Sequence, residues 1–171
     1  MAILKSVLNL LDKNKIKYEV IEHRKVFTAW DLSQTEHIKP EQVVKTLVLK
    51  ADNNFCLALI PASKNLDFNK AKKTLNSYLK KKEKKAVKKI SFATEAWMKN
   101  NISGNIGATP PFNFLLPKKK EEPLPVLVDS SLLKEPQVLI NTGDYKFALK
   151  VRPAALSKTQ EILKGVIGRK K

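Results

Sequence analysis

The sequence predicts a single domain of the α/β class, of the α+β type, in which helices and β-strands alternate along all 171 residues. Apolar residues recur at helical spacing near the N-terminus, whereas two apolar runs in mid-chain are separated by a short polar turn, as in an antiparallel hairpin. The hydrophobic content of 43% over this length is sufficient to bury a core. We therefore expect residues 1–171 to form one domain.

Helix signals occur in several segments. Residues 2–14 form the expected first helix, because their apolar members recur every three or four positions. Thr28 is a suitable N-cap, and Pro40 suits the first turn of a short helix. The same signals predict further helices over residues 28–35, 67–79, 93–100 and 153–167. Residues 168–171 are expected to fray.

Strand signals lie between these helices. The polar run Asp52-Asn53-Asn54 separates two apolar segments and predicts a hairpin turn. Apolar and β-branched runs predict strands over residues 18–22, 43–49, 55–60, 124–128, 138–141 and 147–151.

Lys45 is the most unusual residue of the predicted hairpin. Because side chains alternate along a strand, Lys45 shares a face with Val43, Leu47 and Leu49. A lysine on an apolar face loses hydration, and burial favours its neutral form unless an anion or a polar ligand compensates. Such positions are often functional. The alternative is a lysine whose aliphatic stem covers apolar surface while its ammonium group reaches water.

The chain is strongly basic. It has 33 lysines and arginines against 16 acidic residues, a net charge of +17, and all but three of the basic residues are lysine. This charge favours polyanions such as RNA, DNA or an anionic membrane surface, and lysine attracts phosphates without reading bases as arginine does. Residues 80–89 include seven lysines. Solvated surface is the alternative interpretation of any one such cluster.

Several common chemistries lack their motifs. The sequence has no P-loop, no dinucleotide-binding fingerprint and no serine nucleophile elbow. His23 and His37 have no metal-ligand spacing with Cys56, the only cysteine, which is expected to be a buried thiol. No signal-peptide core or membrane-spanning apolar stretch occurs, so we expect a cytoplasmic location without membrane association. We also expect no metal, cofactor or covalent nucleophile.

Residues 104–113 form a second unusual segment, Gly-Asn-Ile-Gly-Ala-Thr-Pro-Pro-Phe-Asn. Glycine permits positive φ angles and close approach of a ligand to the main chain, and the two prolines stiffen the second half of the segment. The main-chain N–H groups of this loop could therefore face a substrate carbonyl or a water molecule. An ordinary structural loop is the alternative.

These motifs follow one another in a specific order. After the strand Val-Val-Lys-Thr-Leu come a strand ending in Ile-Pro-Ala, the Gly-x-x-Gly-x-x-Pro-Pro-Phe loop, a strand ending in Val-Asp and an Asn-Thr-Gly turn. In this combination, over about residues 2–157, the chain resembles the YbaK and prolyl-tRNA-synthetase editing-domain family of aminoacyl-tRNA deacylases. The resemblance implies a curved, mixed β-sheet surrounded by helices, and we expect a C-terminal helix and a basic tail to extend from this core to residue 171.

The resemblance also implies a reaction, hydrolysis of the ester that joins a wrong amino acid to the 3′ end of a tRNA, often tRNA for proline. Such editing is needed where a synthetase pocket cannot reject a smaller or isosteric amino acid by binding alone. Lys45 matches the family's essential lysine, while Gly107 and Ala108 match the loop that positions the carbonyl or the water. A hydroxyl of the tRNA, or a group of the amino acid, helps the chemistry in this family. Alanine, cysteine and serine are candidate amino acids.

Other residues carried over from the resemblance have structural alternatives. Substrate binding is implied for His23, Thr28, Thr46, Thr109, Pro110, Asp129 and Gly143. Thr28 and Thr46 could instead be a cap and a core-edge hydroxyl, and Asp129 could order nearby loops. Asp144 and Asn113 depart from the family pattern, because relatives often have a basic or small residue at the first position and glycine at the second.

A basic surface is what recruitment of tRNA would require. Candidates for contact with the tRNA backbone are Lys80, Lys81, Lys82, Lys84, Lys85, Lys118, Lys119 and the adjacent Lys120. Relatives act alone or through a synthetase, so prolyl-tRNA synthetase is a candidate partner. Two other functions remain open at this point: a non-catalytic module of the same fold that binds tRNA or a synthetase, and a hydrolase of other esters that does not depend on tRNA.

Overall fold

The computed structural model describes residues 3–119 and 122–171 and shows the predicted mixed α/β fold. Ala2 of the predicted first helix and Lys120 of the lysine run lie outside the described residues. The helices are α1 (Lys5–Lys13), α2 (Ala29–Thr35), α3 (Phe68–Lys81), α4 (Glu95–Asn101), α5 (Ser130–Leu133) and α6 (Ala154–Thr159). None of the helices within the described ranges has the length and apolar character needed to cross a membrane.

Two short 3₁₀ turns complete the helical structure, and the predicted N-cap at Thr28 is confirmed, whereas α1 begins at Lys5 rather than at residue 2. The 3₁₀ turns are Pro40–Gln42 and Asn113–Leu115, the first with proline at its start as expected. The Thr28 hydroxyl accepts a hydrogen bond from the Asp31 N–H at 3.1 Å and caps α2. A side-chain oxygen of Asp67 caps α3 in the same way.

The strands form one five-stranded sheet, one three-stranded sheet and a two-stranded ribbon. Their orders are β5-β2-β3-β6-β9, β1-β8-β7 and β10-β4. The strands are β1 (Glu19–Glu22), β2 (Val44–Ala51), β3 (Asn54–Pro61), β4 (Lys64–Leu66), β5 (Ile90–Phe92), β6 (Val126–Asp129), β7 (Val138–Asn141), β8 (Phe147–Val151), β9 (Ile162–Gly165) and β10 (Gly168–Lys170). The pairs β3–β6 and β6–β9 are parallel and the other ladders are antiparallel, so the five-stranded sheet is mixed.

The predicted hairpin is confirmed and forms the centre of the five-stranded sheet. Strands β2 and β3 pair over their whole length, from Val44 opposite Pro61 to Ala51 opposite Asn54. Asp52, in the turn, has a φ of 53°, a conformation that aspartate and asparagine tolerate better than most residues. An isolated parallel bridge between Val43 and Leu139 links the start of β2 to the three-stranded sheet.

The two faces of β2 contribute to different parts of the core. Val44 and Val48 belong to the cluster that includes α1, α6 and Phe112. Leu49 and Ala51 belong to the cluster that α3 covers. Cys56 lies in this second cluster, and burial raises the pKa of its thiol to about 12, which makes it an unreactive core residue as expected.

The prediction of a helix over residues 153–167 and a frayed tail is wrong. Helix α6 ends at Thr159, after which β9 pairs with β6 and β10 pairs with β4. The physical reason is that β6 is buried on both faces and pairs with β3 along one edge only. Its other edge would lack hydrogen-bond partners, and the β-branched segment that begins at Ile162 supplies them as β9. Glycines at 165 and 168 further disfavour a helix.

Candidate active site

Lys45 lies near the start of β2 and opposite Ile60 of β3. Its side chain is partly buried, and its Nζ atom donates a hydrogen bond of 2.8 Å to the main-chain carbonyl of Lys64. The other N–H groups of this ammonium have no acceptor within the described parts of the chain. Lys45 is therefore held in one orientation while it retains donors for a ligand.

The environment of Lys45 disfavours its positive charge. Burial is the larger cause that lowers the pKa of Lys45, and the nearby ammonium group of Lys171 is the second. The Nζ atom of Lys171 also lies 4.7 Å from the centre of the Trp30 ring, at the start of α2. Two cations and an aromatic face that is 44% exposed thus occur together at this end of the sheet. Such a place favours an anion or an oxyanion over a neutral ligand.

Asp129 fixes the start of β10, the strand that precedes Lys171. Its Oδ1 atom accepts hydrogen bonds from the main-chain N–H groups of Ile167 at 3.0 Å and Gly168 at 2.9 Å. Its Oδ2 atom accepts from the Ser131 hydroxyl and lies 3.5 Å from the Nζ of Lys64. Burial would raise the pKa of Asp129, but the hydrogen bonds and the Lys64 charge outweigh it and lower the pKa. Asp129 therefore stabilises the structure around Lys45 as an ionised carboxylate.

Gly107 occupies a tight turn in the glycine–proline loop. The Ala108 N–H donates to the Asn105 carbonyl at 3.1 Å, and Gly107 has a φ of 91°, as the third residue of a type II turn requires. A Cβ atom at Gly107 would lie 2.1 Å from the carbonyl oxygen of Phe27. The N–H of Ala108 is thus used within the turn, whereas that of Gly107 has no acceptor among the described residues.

A second aromatic and cationic group adjoins this turn. The Phe27 and Tyr145 rings meet edge to face with centroids 4.8 Å apart, and the Nζ of Lys25 lies 5.5 Å from the Phe27 centroid. The Tyr145 hydroxyl donates to the Ile106 carbonyl. Because Phe27 contacts the loop and Trp30 contacts Lys171, the segment between these two aromatics joins the loop to the Lys45 region.

Gly143 anchors the other side of the loop. Its N–H donates to the Ala108 carbonyl at 2.7 Å, and its carbonyl accepts from the Asn105 N–H at 2.8 Å. A Cβ atom at Gly143, where φ is 92°, would lie 2.6 Å from the side chain of Leu4. Thr109 and Pro110 are buried behind the turn. The loop is therefore tightly packed rather than an extended surface segment.

Two predicted binding residues have buried polar atoms without partners. These atoms are Nε2 of His23 and Oγ1 of Thr46, and neither has a hydrogen-bond partner in the described structure. The other ring nitrogen of His23 lies 2.7 Å from the Arg24 carbonyl oxygen. Thr46 lies on the face of β2 opposite to Lys45. An unpaired buried polar atom is costly, so each of these atoms is a candidate contact for a bound group.

The predicted lysines separate into two groups. Lys84, Lys85 and Lys119 line a groove at the far end of the β2–β3 hairpin, and Lys118 lines an adjoining cavity. Lys80, Lys81 and Lys82 are exposed at the end of α3. Sequence reasoning missed Trp30 and Lys171, because the only signal for them is a spatial contact. Within the described ranges no three His, Cys, Asp or Glu side chains are arranged to hold a metal ion.

Comparison with known protein families identifies the type of domain. The model of the aminoacyl-tRNA editing domain matches residues 23–159, a range that includes Lys45, the Gly107 turn, Asp129 and Gly143. The chain belongs to this family. No curated protein sequence matches this chain.

Solved structures share the fold of this editing domain at low sequence identity. Hypothetical protein APE2540 is 16% identical, with a TM-score of 0.76, and the match covers 96% of this chain and 100% of that one. A protein described as "a putative trans-editing enzyme for prolyl tRNA synthetase" is 20% identical, with a TM-score of 0.71, and the match covers 98% and 99% of the two chains. A scaffold protein from computational epitope grafting is 19% identical, with a TM-score of 0.70 and 96% coverage of both chains.

Proposed function

We propose that this editing domain is a trans-acting deacylase that hydrolyses the ester of mischarged tRNA in the cytoplasm. The first candidate substrate is tRNA for proline that carries alanine, cysteine or serine. The observation that carries the proposal is the Lys45 ammonium, partly buried and fixed to the Lys64 carbonyl, in a chain of the editing-domain family. The name of the trans-editing structural neighbour supports the choice of tRNA for proline.

Lys45 supplies electrostatic stabilisation in the proposed reaction. The oxygen of a water molecule bonds to the ester carbonyl carbon, and negative charge develops on the carbonyl oxygen. The ammonium of Lys45, in a partly desolvated site next to Lys171, stabilises that charge more strongly than it would in water. The carbon–oxygen bond to the ribose then breaks, and the ribose hydroxyl leaves with a proton that originates from the water.

The Gly107 turn and the two unpaired polar atoms, of His23 and Thr46, have positioning roles in this proposal. The Gly107 N–H, which has no acceptor in the described structure, orients the substrate carbonyl or the attacking water. His23 Nε2 is the candidate contact for the terminal nucleotide. Thr46 Oγ1 is the candidate contact for the aminoacyl group, which would have to pass the edge of β2 that β5 leaves uncovered, because Thr46 and Lys45 lie on opposite faces. Because the described residues present no evident general base, the adjacent hydroxyl of the tRNA ribose, or a group of the amino acid, takes part in moving the proton.

The deciding experiment is deacylation of tRNA for proline charged separately with alanine, cysteine, serine and proline. Lys45→Met is compared with wild type and with Lys39→Met, which removes an exposed lysine that precedes the same strand. We expect rapid hydrolysis of at least one mischarged species and a loss of about 100-fold or more only in Lys45→Met, since oxyanion stabilisers contribute roughly that much. Prolyl-tRNA synthetase is added in a parallel series to test whether it is a partner.

The possible results separate the competing functions. Equal hydrolysis by wild type and Lys45→Met would contradict the proposed role of Lys45. Binding of tRNA without hydrolysis of any species, with or without the synthetase, would favour a non-catalytic binding module. Hydrolysis of free aminoacyl esters at the same rate as aminoacyl-tRNA would favour a hydrolase that does not depend on tRNA.

A further inference from the structure

An open groove of about 1220 Å³ lies at the turn end of the β2–β3 hairpin, remote from Lys45 along β2. Its only acidic side chains among the described residues are Asp52 and Glu122. Lysines from three separate parts of the chain line it, namely Lys50, Lys84, Lys85, Lys88, Lys89 and Lys119. The groove therefore joins the basic cluster of residues 80–89 to a strand and a loop that are distant in sequence.

The acidic groups of the groove are already used within the fold. The Asp52 carboxylate accepts hydrogen bonds from the main-chain N–H groups of Lys88 at 3.0 Å and Lys89 at 2.9 Å. Glu122 lies 3.2 Å from the Nζ of Lys84. By contrast, the ammonium groups of Lys50, Lys85, Lys88 and Lys89 have no hydrogen bond or ion pair within the described parts of the chain, and all four residues are exposed. These four charges remain available to an anion, and those of Lys85 and Lys88 also act on the Asp52 carboxylate, whose pKa the hydrogen bonds from the Lys88 and Lys89 N–H groups and then these charges lower.

The segment that carries these lysines is held in a defined position. The Asn76 side chain exchanges two hydrogen bonds with the main chain of Val87, at 2.8 and 3.0 Å. The Asp52 N–H donates to the Lys89 carbonyl at 2.9 Å, and Lys72 donates to the Lys88 carbonyl. A fixed array of charges binds with a smaller loss of conformational entropy than a mobile lysine run.

Aromatic side chains continue the groove on one side. An adjoining cavity of about 310 Å³ includes Phe55 and Phe114 in its walls and shares Lys119 with the groove. The Phe55 ring is stacked on Trp97 with centroids 3.7 Å apart, and the Nζ of Lys119 lies 5.6 Å from the Phe55 centroid. Lysines next to aromatic faces are the combination with which proteins bind single-stranded nucleic acid, by phosphate attraction and base stacking.

We propose that this groove binds the sugar–phosphate backbone of an RNA, with unpaired bases against the aromatic cavity. The groove is concave and lined by lysines from several directions, a shape that suits a strand of phosphates better than a flat lipid surface. The identification of the RNA as an aminoacylated tRNA rests on the proposed function, but backbone binding does not depend on ester hydrolysis.

The position of the groove sets where the RNA would be held. Five residue steps of β2 separate Lys45 from Lys50, so the groove begins about 17 Å from Lys45 at roughly 3.3 Å per residue. That distance corresponds to about five nucleotide steps of a stacked strand. The groove therefore contacts the RNA several nucleotides away from the 3′ end that reaches Lys45.

The test compares two fourfold variants with equal loss of charge. The groove variant is Lys50→Gln, Lys85→Gln, Lys88→Gln and Lys89→Gln. The control variant is Lys5→Gln, Lys13→Gln, Lys17→Gln and Lys158→Gln, all exposed and outside the groove. Binding of uncharged tRNA is measured by fluorescence anisotropy between about 50 and 200 mM salt, the range in which phosphate contacts change affinity strongly.

We expect a selective loss in the groove variant. The slope of log affinity against log salt concentration should be smaller in magnitude by about 3, since each lost phosphate contact reduces it by roughly 0.7 to 0.9. Its Kd at the lowest salt should rise at least about tenfold, while that of the control changes less than about threefold. Equal changes in both variants would overturn the proposal. So would groove-dependent binding to phosphatidylserine vesicles together with unchanged binding of tRNA.

A second measurement separates this proposal from the proposed function. Deacylation is followed with full-length aminoacyl-tRNA and with an aminoacylated trinucleotide too short to reach the groove. The groove variant should show a raised KM only for the full-length substrate, and a raised KM for both substrates would contradict the proposed position of the groove. If wild type hydrolyses neither substrate, the deacylase proposal fails, and the binding measurement still decides whether the groove holds RNA.

Discussion

Lys45 and Lys64 are joined by a hydrogen bond of 2.8 Å from the ammonium of the first to the main-chain carbonyl of the second. Lys64 lies in β4, which pairs with β10, and its own ammonium contacts Asp129. The orientation of Lys45 therefore depends on strands from three distant parts of the sequence. Substitutions in any of these strands can change the position or the pKa of the Lys45 ammonium without touching Lys45 itself.

The pH dependence of hydrolysis should report the lowered pKa of Lys45. If the ammonium form is active, activity falls as the pH rises through this pKa, which lies below the ordinary value of 10.5. Lys171→Met removes the second cause of the shift and should move the alkaline limb of kcat/KM to higher pH. Lys170→Met, at the preceding residue, should leave it in place. Spontaneous ester hydrolysis is measured and subtracted at each pH.

The same shift predicts the sign of a stability change. Between the lowered pKa of folded Lys45 and 10.5, the unfolded chain binds more protons than the folded chain. The contribution of Lys45 to the free energy of unfolding therefore rises with pH across this window. Urea denaturation of wild type and Lys45→Met should differ in pH dependence in this direction. A difference of the opposite sign would mean that the ammonium is stabilised in the fold.

Asp129→Ala should destabilise the protein strongly, because it leaves the N–H groups of Ile167 and Gly168 and the Lys64 ammonium without their carboxylate. We expect a loss of about 3–5 kcal/mol, as for the removal of one member of a buried charged network. Asp67→Ala, which removes a helix cap, should lose only about 1 kcal/mol. Equal losses in the two variants, measured by urea denaturation at neutral pH, would contradict this account.

Asp129 should also contribute to the loss of folding stability at acid pH. Its pKa in the folded state lies below the ordinary value of 3.8, so its stabilising contribution is present above that pH. The contribution is lost as the pH falls from 3.8 through the lowered pKa. Asp129→Asn cannot titrate and should lose less stability than wild type over this interval. An identical acid dependence in the two proteins would show that Asp129 does not titrate there.

Gly107→Ala should reduce both stability and hydrolysis. The new Cβ would lie 2.1 Å from the Phe27 carbonyl oxygen, and the positive φ adds backbone strain of about 1–3 kcal/mol. Gly165→Ala is the control, since Gly165 lacks a positive φ and its Cβ would meet the side chain of Thr74 rather than main chain. Thermal unfolding and kcat/KM are measured for both. If Gly107→Ala resembles Gly165→Ala, the turn has another conformation in solution.

The local part of the fold could be predicted from the sequence. Apolar spacing and caps located α1, α2 and α3, and the polar turn located the β2–β3 hairpin, because these signals act over a few residues. The three-residue strands β4 and β5 are too short to produce a periodic pattern. The C-terminal strands were missed for another reason: they form by completing the edge of β6 and by pairing with β4, about 100 residues away.

The candidate site was predictable only in part for the same physical reason. Lys45 was identifiable because a charged residue interrupts an apolar face, and the loop because its glycines and prolines are unusual. The Lys64 carbonyl orients the Lys45 ammonium, and burial together with the charge of Lys171 lowers its pKa. Neither a main-chain acceptor nor a cation brought in by a distant strand leaves a signal in the local sequence. Trp30 was missed because its exposure beside Lys171 is a property of the folded chain.

Thr46→Val should separate stability from activity. The Thr46 hydroxyl is buried without a partner in the described structure, so valine, which has nearly the same shape, should raise the free energy of unfolding by up to about 1 kcal/mol or leave it unchanged. Thr142→Val is the matched control, because the Thr142 hydroxyl donates to the Phe147 carbonyl at 2.8 Å. That variant should lose about 1–3 kcal/mol.

The activity of Thr46→Val gives the second half of this prediction. If the unpaired hydroxyl contacts the aminoacyl group, kcat/KM for the mischarged tRNA should fall about tenfold, the value of one hydrogen bond of roughly 1.4 kcal/mol. A stabilised protein with lower activity would indicate that the fold tolerates an unsatisfied hydroxyl because the substrate satisfies it. Unchanged activity would assign Thr46 to the core edge, and a loss of stability as large as that of Thr142→Val would show that its hydroxyl already has a partner in solution.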